Sequence, residues 1–272
     1  LTLIIVCILF TIPFQVSAAT TEIRVVKYAV DEFTILAEKT VDYKWMEQNL
    51  RVYGDGITHY YHQGPVFVDD PDAAKEEELR WNPAEDSNVQ EKDMGAVKGT
   101  NMKDLCDLVG GMEPGDRLKI RSSDGWSKLL AYENVYEYSS REGPIIISWF
   151  RNGQYPDTGY TDGMRMIWFA DTSTNPWGIH AFGNWDWHEA ADEEYWYYYY
   201  NMDEKYPTTT GLSGQKISEI LIYSQEEPTG GIEVTSTPAG ADIILDGEET
   251  GEMTPFTFTD LVAGSYSINV QK

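Results

Sequence analysis

The chain contains two short apolar runs, Ile145-Ile146-Ile147-Ser148-Trp149-Phe150 and Met164-Arg165-Met166-Ile167-Trp168-Phe169, which have the length and composition of β-strands. Asn152-Gly153 and Asp162-Gly163 lie between them, and such dipeptides are typical of tight turns. A third run, Arg117-Leu118-Lys119-Ile120-Arg121, alternates apolar and charged residues as a half-buried strand does. The pattern predicts a mainly β (α+β) fold with few short helices.

The sequence also predicts two local elements. Residues 21–29 and 33–37 have the alternation of two strands joined by a polar turn, so a β-hairpin is expected. Residues 100–109 combine a capping residue, an apolar stripe and a Gly110-Gly111 stop, which together predict a short amphipathic helix. Cys106 lies in this stripe, and its position favours a buried structural thiol over a reactive one.

The segment at residues 68–97 differs in composition from the rest of the chain. It is polar and acidic, contains Pro71 and Pro83, and shows no periodic apolar face. Long connections without helix or strand periodicity are typical of surface insertions. We therefore predict an acidic surface insertion here.

The first 19 residues form an uncharged apolar run that ends in Ser17-Ala18-Ala19, as the hydrophobic region and cleavage site of a secretory signal do. The alternative is a membrane anchor, but only 14 residues precede Gln15, whereas a membrane span needs about 20. A signal peptide at residues 1–19 is therefore expected, with the mature chain secreted to the extracellular cell surface. We expect membrane association only if this segment stays uncleaved.

The chain is strongly acidic, with 45 acidic against 20 basic residues and a formal net charge of −25. Nucleic-acid binding requires a basic face that neutralises phosphates, so DNA and RNA are excluded as partners. Cys7 lies in the predicted signal, so the mature chain keeps only Cys106 and forms no internal disulfide.

All four histidines lie in two aromatic-rich segments with glycines, residues 54–65 and 177–189. Imidazole is the commonest protein metal ligand, and two or three imidazoles with one carboxylate would suit zinc, copper or non-haem iron. The candidate metal ligands are His59, His62, His180, His188, Asp186 and Glu189. The alternative interpretation is that the histidines pack and form hydrogen bonds within an aromatic loop layer.

The second segment is followed by the run Tyr195-Trp196-Tyr197-Tyr198-Tyr199-Tyr200. Tyrosine and tryptophan offer broad faces at low entropic cost, so this region indicates a sugar-stacking or partner-binding surface. The candidate surface aromatics are Trp177, Trp185, Trp187 and Trp196. An ordinary aromatic core with hydroxyls that reach solvent explains the same composition.

Four short strands are predicted in the C-terminal part, at residues 232–236, 241–245, 256–258 and 266–270. The motifs around them are Thr237-Pro238-Ala239-Gly240-Ala241, Leu245-Asp246-Gly247 and Leu261-Val262-Ala263-Gly264. They resemble the PEGA domain, a small β-sandwich-like module of surface proteins. The resemblance covers residues 231–272 and implies a structural or interaction role. A polar linker precedes it, so we expect domains at 20–227 and 228–272.

A second resemblance rests on the stretches Met102-Lys103-Asp104-Leu105-Cys106, Leu118-Lys119-Ile120-Arg121-Ser122, Gly163-Met164-Arg165-Met166-Ile167 and Ile217-Ser218-Glu219-Ile220. Residues 22–223 are similar to secreted surface proteins of methanogenic archaea, whose core resembles the molybdopterin-binding domain of sulfite-oxidase-like enzymes. The resemblance implies a β-rich domain in which Arg51 and Arg165 would hold a pterin phosphate. No residue matches the family's molybdenum-binding cysteine by motif, which favours a version without the cofactor.

Several enzyme classes have no support in the sequence, because it contains no serine-nucleophile elbow, phosphate-binding glycine loop or Cys-x-x-Cys pair. We expect an extracellular cell-envelope protein with a binding or structural role, which presents a His/aromatic-lined site to envelope components or other surface proteins. The alternatives are a metal- or molybdopterin-dependent oxidoreductase and a carbohydrate-binding surface module that recognises a glycan.

Overall fold

The computed structural model describes residues 18–68, 70–81, 92–172 and 178–272. Strands account for 41% and helices for 17% of it, which confirms the mainly β prediction with few short helices. The predicted signal peptide, apart from its last two residues, lies outside the described residues, as does Trp177. Within the described ranges, no helix is long and apolar enough to cross a membrane.

The first sheet contains β1 (Glu22–Tyr28), β2 (Ile35–Asp42), β5 (Arg117–Ser122), β6 (Ser127–Ala131) and β12 (Ile217–Tyr223). Their order across the sheet is β2-β1-β12-β5-β6. The expected hairpin is confirmed, since β1 and β2 pair antiparallel, and β1 also runs parallel to β12. Alternation places Ile23, Val25 and Ile120 on the core face, where they have no exposed surface.

The second sheet contains β3 (His59–His62), β4 (Asp93–Asn101), β7 (Ile145–Arg151), β8 (Arg165–Trp168) and β9 (His180–Phe182). Their order is β8-β7-β4-β3-β9, and the two apolar runs pair antiparallel as β7 and β8. One apolar core joins residues of both sheets. β3 and β9 are neighbours, so the second sheet brings the two histidine segments side by side.

Five short α-helices are described: α1 (Tyr43–Asn49), α2 (Ala73–Trp81), α3 (Met102–Asp107), α4 (Tyr132–Tyr136) and α5 (Asn184–Ala190). The predicted amphipathic helix is α3, which begins after Asn101 because the Asn101 side chain accepts the backbone N–H of Lys103 at 3.0 Å. Cys106 has no exposed surface, and burial raises the pKa of its thiol. The interpretation of Cys106 as a buried structural residue is confirmed.

The segment predicted as an acidic surface insertion, residues 68–97, contains a helix and the start of a strand, which the sequence analysis did not predict. Helix α2 forms within it, and β4 begins at Asp93 with Met94 and Val97 buried in the second sheet. Sequence analysis did not predict this helix, because most of its residues are charged and it has little apolar periodicity. An ion pair stabilises it, since Arg80 lies 2.6 Å from Glu76 one turn earlier. Residues 82–91 lie outside the described residues.

The last part of the chain folds as a small β-module. Its strands are β13 (Thr229–Val234), β14 (Asp242–Leu245), β15 (Glu248–Met253), β16 (Phe256–Val262) and β17 (Ile268–Gln271). β13 pairs with β16, while β14 lies between β15 and β17. The four predicted strands are present. β15 is an additional strand that sequence analysis missed, because its glutamates interrupt the apolar alternation.

Candidate functional site

His62 lies in β3 and has no exposed surface. Its Nε2 accepts the backbone N–H of Trp168 at 3.2 Å, so Nδ1 carries the proton and donates to the carbonyl oxygen of Thr209 at 3.2 Å. Burial and the nearby positive charge of Arg165 lower the pKa of His62 to about 3. A neutral imidazole with both nitrogens bonded has no lone pair left for a metal.

His59 and His180 lie on neighbouring strands but contact different partners. His59 is exposed, and its Nδ1 lies 2.7 Å from a carboxylate oxygen of Asp93. It is three residues from His62 on an extended strand, so the two side chains point to opposite faces. His180 places Nδ1 2.8 Å from the carbonyl oxygen of Ala170, and its ring packs against Tyr60 at a centroid distance of 5.1 Å.

His188 lies near the end of α5 within a stack of tryptophan rings. Its ring centroid is 4.6 Å from Trp196, 4.7 Å from Trp81 and 5.7 Å from Trp185. Glu189 is exposed, and its carboxylate lies 3.5 Å from Nδ1 of His188. The stack joins α2 and α5, which makes His188 part of the packing between two helices.

Asp186 occupies the first turn of α5 and is buried. One carboxylate oxygen accepts the backbone N–H of Gly183 at 2.8 Å, and the other accepts from the guanidinium of Arg141 at 2.9 Å. Burial raises the pKa of Asp186 to about 6. The carboxylate therefore caps the helix and pairs with one cation.

The predicted metal site does not form as a convergent cluster. In the described ranges, no group of three or more histidine, cysteine, aspartate or glutamate residues is arranged to hold a metal ion. The physical reason is that the candidate side chains are directed to separate partners, on strands and helices that do not meet at one point. The predicted ligands that contact separate partners in this way are His59, His62, His180, His188, Asp186 and Glu189.

The residues expected to hold a pterin cofactor do not fit that role. The guanidinium of Arg51 lies over the ring of Tyr53 at 4.7 Å. Arg165 is largely buried, and its Nε donates to Oγ of Ser213 at 2.8 Å. Cys106 is enclosed in the core, whereas a metal ligand requires an accessible thiolate. These side chains form no cradle for a molybdopterin phosphate or its metal.

Of the tryptophans predicted as surface aromatics, the three that the structure describes are largely internal. Trp187 is 2% exposed, and its Nε1 donates to the carbonyl oxygen of Tyr195 at 3.0 Å. Trp185 and Trp196 are half-buried in the stack around His188. The surface prediction is therefore wrong for Trp187, because an internal partner for the indole N–H allows its burial.

The exposed aromatic surface lies slightly further along the chain, on a hairpin of β10 (Tyr198–Asn201) and β11 (Glu204–Pro207). Tyr200 is 69% exposed, Tyr199 46%, and the neighbouring Phe67 61%. A groove of ≈ 380 Å³ lies against the hairpin, and we call it the tyrosine groove. It is lined by Pro65, Tyr197, Tyr198, Tyr199, Tyr200, Thr208, Thr210 and Gly211.

Two local contacts shape the floor of the tyrosine groove. A side chain at Gly211 would overlap ring carbons of Tyr197, so glycine is required for this ring to lie flat on the backbone. The hydroxyls of Thr208 and Thr210 donate to the carbonyl oxygen of Gln63 at 3.2 and 2.9 Å. Gln63 directly follows β3, so the second sheet anchors the groove.

A second cleft of ≈ 450 Å³ lies at the same hairpin, and we call it the carboxylate cleft. It is lined by Phe67, Val68, Glu76, Asn201, Glu204 and Tyr206. The ring centroid of Phe67 is 6.1 Å from Tyr199 and 4.7 Å from Tyr206, so one aromatic side chain borders both depressions.

A third cleft, of ≈ 320 Å³, lies beside α5 and is lined in part by Glu142. Glu142 is 2% exposed, and its Oε1 accepts from the amide nitrogen of Asn134 at 3.2 Å. Burial raises the pKa of Glu142 to about 8. The carboxyl group is therefore largely protonated near neutral pH, and its ionisation opposes folding.

Sequence reasoning missed Phe67, Thr208 and Thr210 as neighbours of the tyrosine run. A signal for the hairpin was present, because the turn-forming residues Asn201 and Asp203 separate the aromatic run from Glu204-Lys205-Tyr206. Met202 forms the tip of the hairpin and is 96% exposed. Placing the threonines beside the run required the tertiary fold, because they follow β11 and return to Gln63.

The PEGA domain family matches residues 229–272, as the resemblance of the C-terminal motifs implied. No curated protein and no solved structure matches the chain. The resemblance of residues 22–223 to sulfite-oxidase-like enzymes and archaeal surface proteins therefore gains no support from these comparisons. PEGA domains occur in extracellular or periplasmic proteins. With its family match and its two small sheets, the C-terminal part of this chain is a PEGA domain.

Proposed function

We propose that this chain is a secreted cell-surface protein that binds a glycan of the cell envelope in the tyrosine groove. The region at residues 20–227 supplies the binding surface. The PEGA domain acts as the spacer or attachment module that presents this surface to envelope components. No catalytic step is part of the proposal.

One observation carries the proposal: aromatic rings are exposed beside a groove rather than packed in the core. Phe67, Tyr199 and Tyr200 each expose more than 40% of their surface, and the sheet that carries the two tyrosines has two strands. Exposed aromatic patches of this kind are typical of binding sites. The apolar faces of sugar rings stack on aromatic rings, so such a surface suits a glycan.

The polar atoms of the groove suit hydroxyl-rich ligands. The hydroxyls of Thr208 and Thr210 lie 2.9 Å from each other and within hydrogen-bond distance of the carbonyl oxygen of Gln63. Each hydroxyl has one proton and two lone pairs, so these contacts leave acceptor capacity on the pair. A sugar hydroxyl donates readily to such an acceptor. Most binding grooves combine an apolar lining with a few placed polar groups, and the tyrosine groove has this composition.

The test is affinity electrophoresis of the protein in native gels that contain soluble polysaccharides, neutral and amine-bearing. Migration should be retarded by at least one of them, and Tyr200→Ala should weaken the retardation about 10-fold, as expected for loss of one stacking ring. Phe33→Ala is the matched control, because Phe33 is 76% exposed on the β1–β2 turn outside the groove. No retardation by any polysaccharide, or equal retardation of Tyr200→Ala, would overturn the proposal.

A further inference from the structure

The carboxylate cleft adds a chemical preference to the tyrosine groove. The two depressions share Phe67, and β10 pairs with β11 so that Tyr199 lies opposite Tyr206. A chain-like ligand that stacks on Tyr199 therefore meets the cleft next. The carboxylate cleft would therefore hold the unit of the ligand next to the one in the tyrosine groove.

The cleft is anionic after its ion pairs are counted. Arg80 is its neighbouring cation, and its guanidinium lies 2.6 Å from Glu76, 3.6 Å from Glu77 and 3.5 Å from Glu204. Three carboxylates share this one guanidinium, which leaves an excess of negative charge. Oε2 of Glu204 faces Arg80 and accepts from the hydroxyl of Tyr206, and the Glu204 side chain is still 57% exposed, so a ligand can reach its carboxylate.

Carboxylates also place negative charge close to the tyrosine groove. Burial raises the pKa of Tyr198 to about 12, and the carboxylates of Glu77 and Glu193 contribute in the same direction. Lys205 is a cation of the hairpin, but its ammonium already lies over the ring of Tyr198 at 4.4 Å. An anionic glycan would be repelled here, in a chain whose formal net charge is −25.

A ligand ammonium group, by contrast, would find two favourable partners in the cleft. Carboxylates attract it through charge, and the exposed ring of Phe67 attracts it through its negative face, whereas the ring of Tyr206 already has the guanidinium of Arg80 over it at 4.8 Å. The amide of Asn201 adds a donor and an acceptor for hydroxyls of the same sugar. A sugar unit with a free amine carries both the ammonium group and the hydroxyls that these side chains would contact.

We propose, on the basis of the glycan-binding function above, that the carboxylate cleft selects glycans with unacetylated, protonated amino sugars. The tyrosine groove supplies stacking for any sugar ring. The carboxylate cleft supplies the discrimination between charged and neutral units. Glu204 is its main contact, and Glu76 the second.

The test is titration calorimetry of the protein with β-linked glucosamine hexamers, their N-acetylated counterparts and cellohexaose, at mildly acidic pH where the amines are protonated. The charged hexamer should bind about 10-fold more tightly than the neutral ones. Glu204→Gln, alone or with Glu76→Gln, should remove this preference, so that the charged hexamer binds no more tightly than the N-acetylated one. Glu248→Gln/Glu249→Gln in β15 is the matched control, because it removes the same charge from the PEGA domain.

The outcomes separate the two proposals. Equal binding of all three hexamers would overturn the amine preference and support the glycan site. A preference that persists in Glu204→Gln, or equally tight binding of hexalysine, would overturn it too, because unspecific charge attraction would then suffice. No binding of any hexamer would overturn the amine preference, and the glycan site would then fail as well if no polysaccharide retards the protein in the native gels. Because Glu76 also holds Arg80, the single variant Glu204→Gln keeps the test valid if the double variant unfolds.

Discussion

Two aromatic-rich layers of this protein differ in what surrounds their rings. Around His62, the rings of Trp168 and Phe182 lie at centroid distances of 5.7 and 5.6 Å, and all three side chains are fully buried. On the β10–β11 hairpin, Tyr199 and Tyr200 expose 46% and 69% of their surface. The first layer has the properties of a packed core, and the second those of a binding surface.

The difference lies in the polar atoms and the strand pairing rather than in the rings. His62 and Trp187 each donate an N–H to a backbone carbonyl inside the fold, so their burial leaves these donors satisfied. Tyr199 and Tyr200 lie on a sheet of two strands, without a further strand to cover them. Aromatic composition alone therefore does not distinguish a core layer from a binding surface.

Removing one ring from each layer should give the largest contrast. Trp187→Ala should lower the free energy of unfolding by about 4 kcal/mol, because it opens a cavity beside Trp168 and Phe182. Tyr200→Ala should change it by less than about 0.5 kcal/mol. Urea unfolding followed by circular dichroism gives both values. Comparable losses in the two variants would show that the hairpin rings belong to the core.

The histidines permit a matched test within one strand. His62→Ala should cost about 3 kcal/mol at neutral pH, because the N–H of Trp168 and the carbonyl of Thr209 lose their partner in a buried site. His59→Ala should cost less than about 1 kcal/mol, since it removes an exposed contact with Asp93. Unfolding midpoints with and without added zinc measure both effects. Zinc-dependent stability that is lost in either variant would contradict the packing role.

Much of the fold was predictable because its signals are local. The β1–β2 hairpin, the strands β7 and β8 and helix α3 follow from alternation, turn dipeptides and a cap within a few residues. Helix α2 and strand β15 were not predicted, because both are rich in glutamate and carry little apolar periodicity. Their formation depends on ion pairs and neighbouring strands, which sequence patterns do not reveal.

The site was predictable in composition but not in position. The tyrosine run was identified as a stacking surface, yet tryptophans such as Trp187 were assigned to that surface with it. The indole N–H of Trp187 finds an internal acceptor in the carbonyl oxygen of Tyr195, which the sequence pattern does not indicate. Likewise, His62 became a structural residue through Thr209, which lies 147 residues away in the chain. Long-range partners of this kind are fixed by the tertiary fold.

A pH series tests the interior further at Glu142. The pKa of Glu142 is about 8 in the folded protein and lower in the unfolded chain. At pH values between these two pKa values, the folded protein therefore binds one proton more than the unfolded chain. Stability should therefore fall as pH rises through this window. Between about pH 6 and pH 7.5 the unfolding free energy of the parent protein should drop by about 2 kcal/mol more than that of Glu142→Gln, which stays neutral.

The matched control for this series is Glu137→Gln, which alters an exposed glutamate of the same cleft. It should retain the pH dependence of the parent protein. Glu142→Gln also keeps an oxygen that accepts from Asn134, so its stability should equal that of the parent only below the unfolded pKa of 4.5. At pH 6 it should already exceed that of the parent by about 2 kcal/mol, because the unfolded parent has lost its proton there. Identical pH profiles for all three proteins would show that Glu142 ionises normally in the folded state.

A small expected change in stability, for Gly211→Ala, reports on the groove itself. A methyl group there would overlap the ring of Tyr197, so the half-buried ring must move, at a cost of about 1 kcal/mol. Polysaccharide retardation should nevertheless fall about 10-fold, because the groove floor changes shape. Gly230→Ala is the control, since a side chain there meets open space in the PEGA domain. Unchanged retardation by Gly211→Ala would place the ligand on the exposed faces of Tyr199 and Tyr200, away from Tyr197.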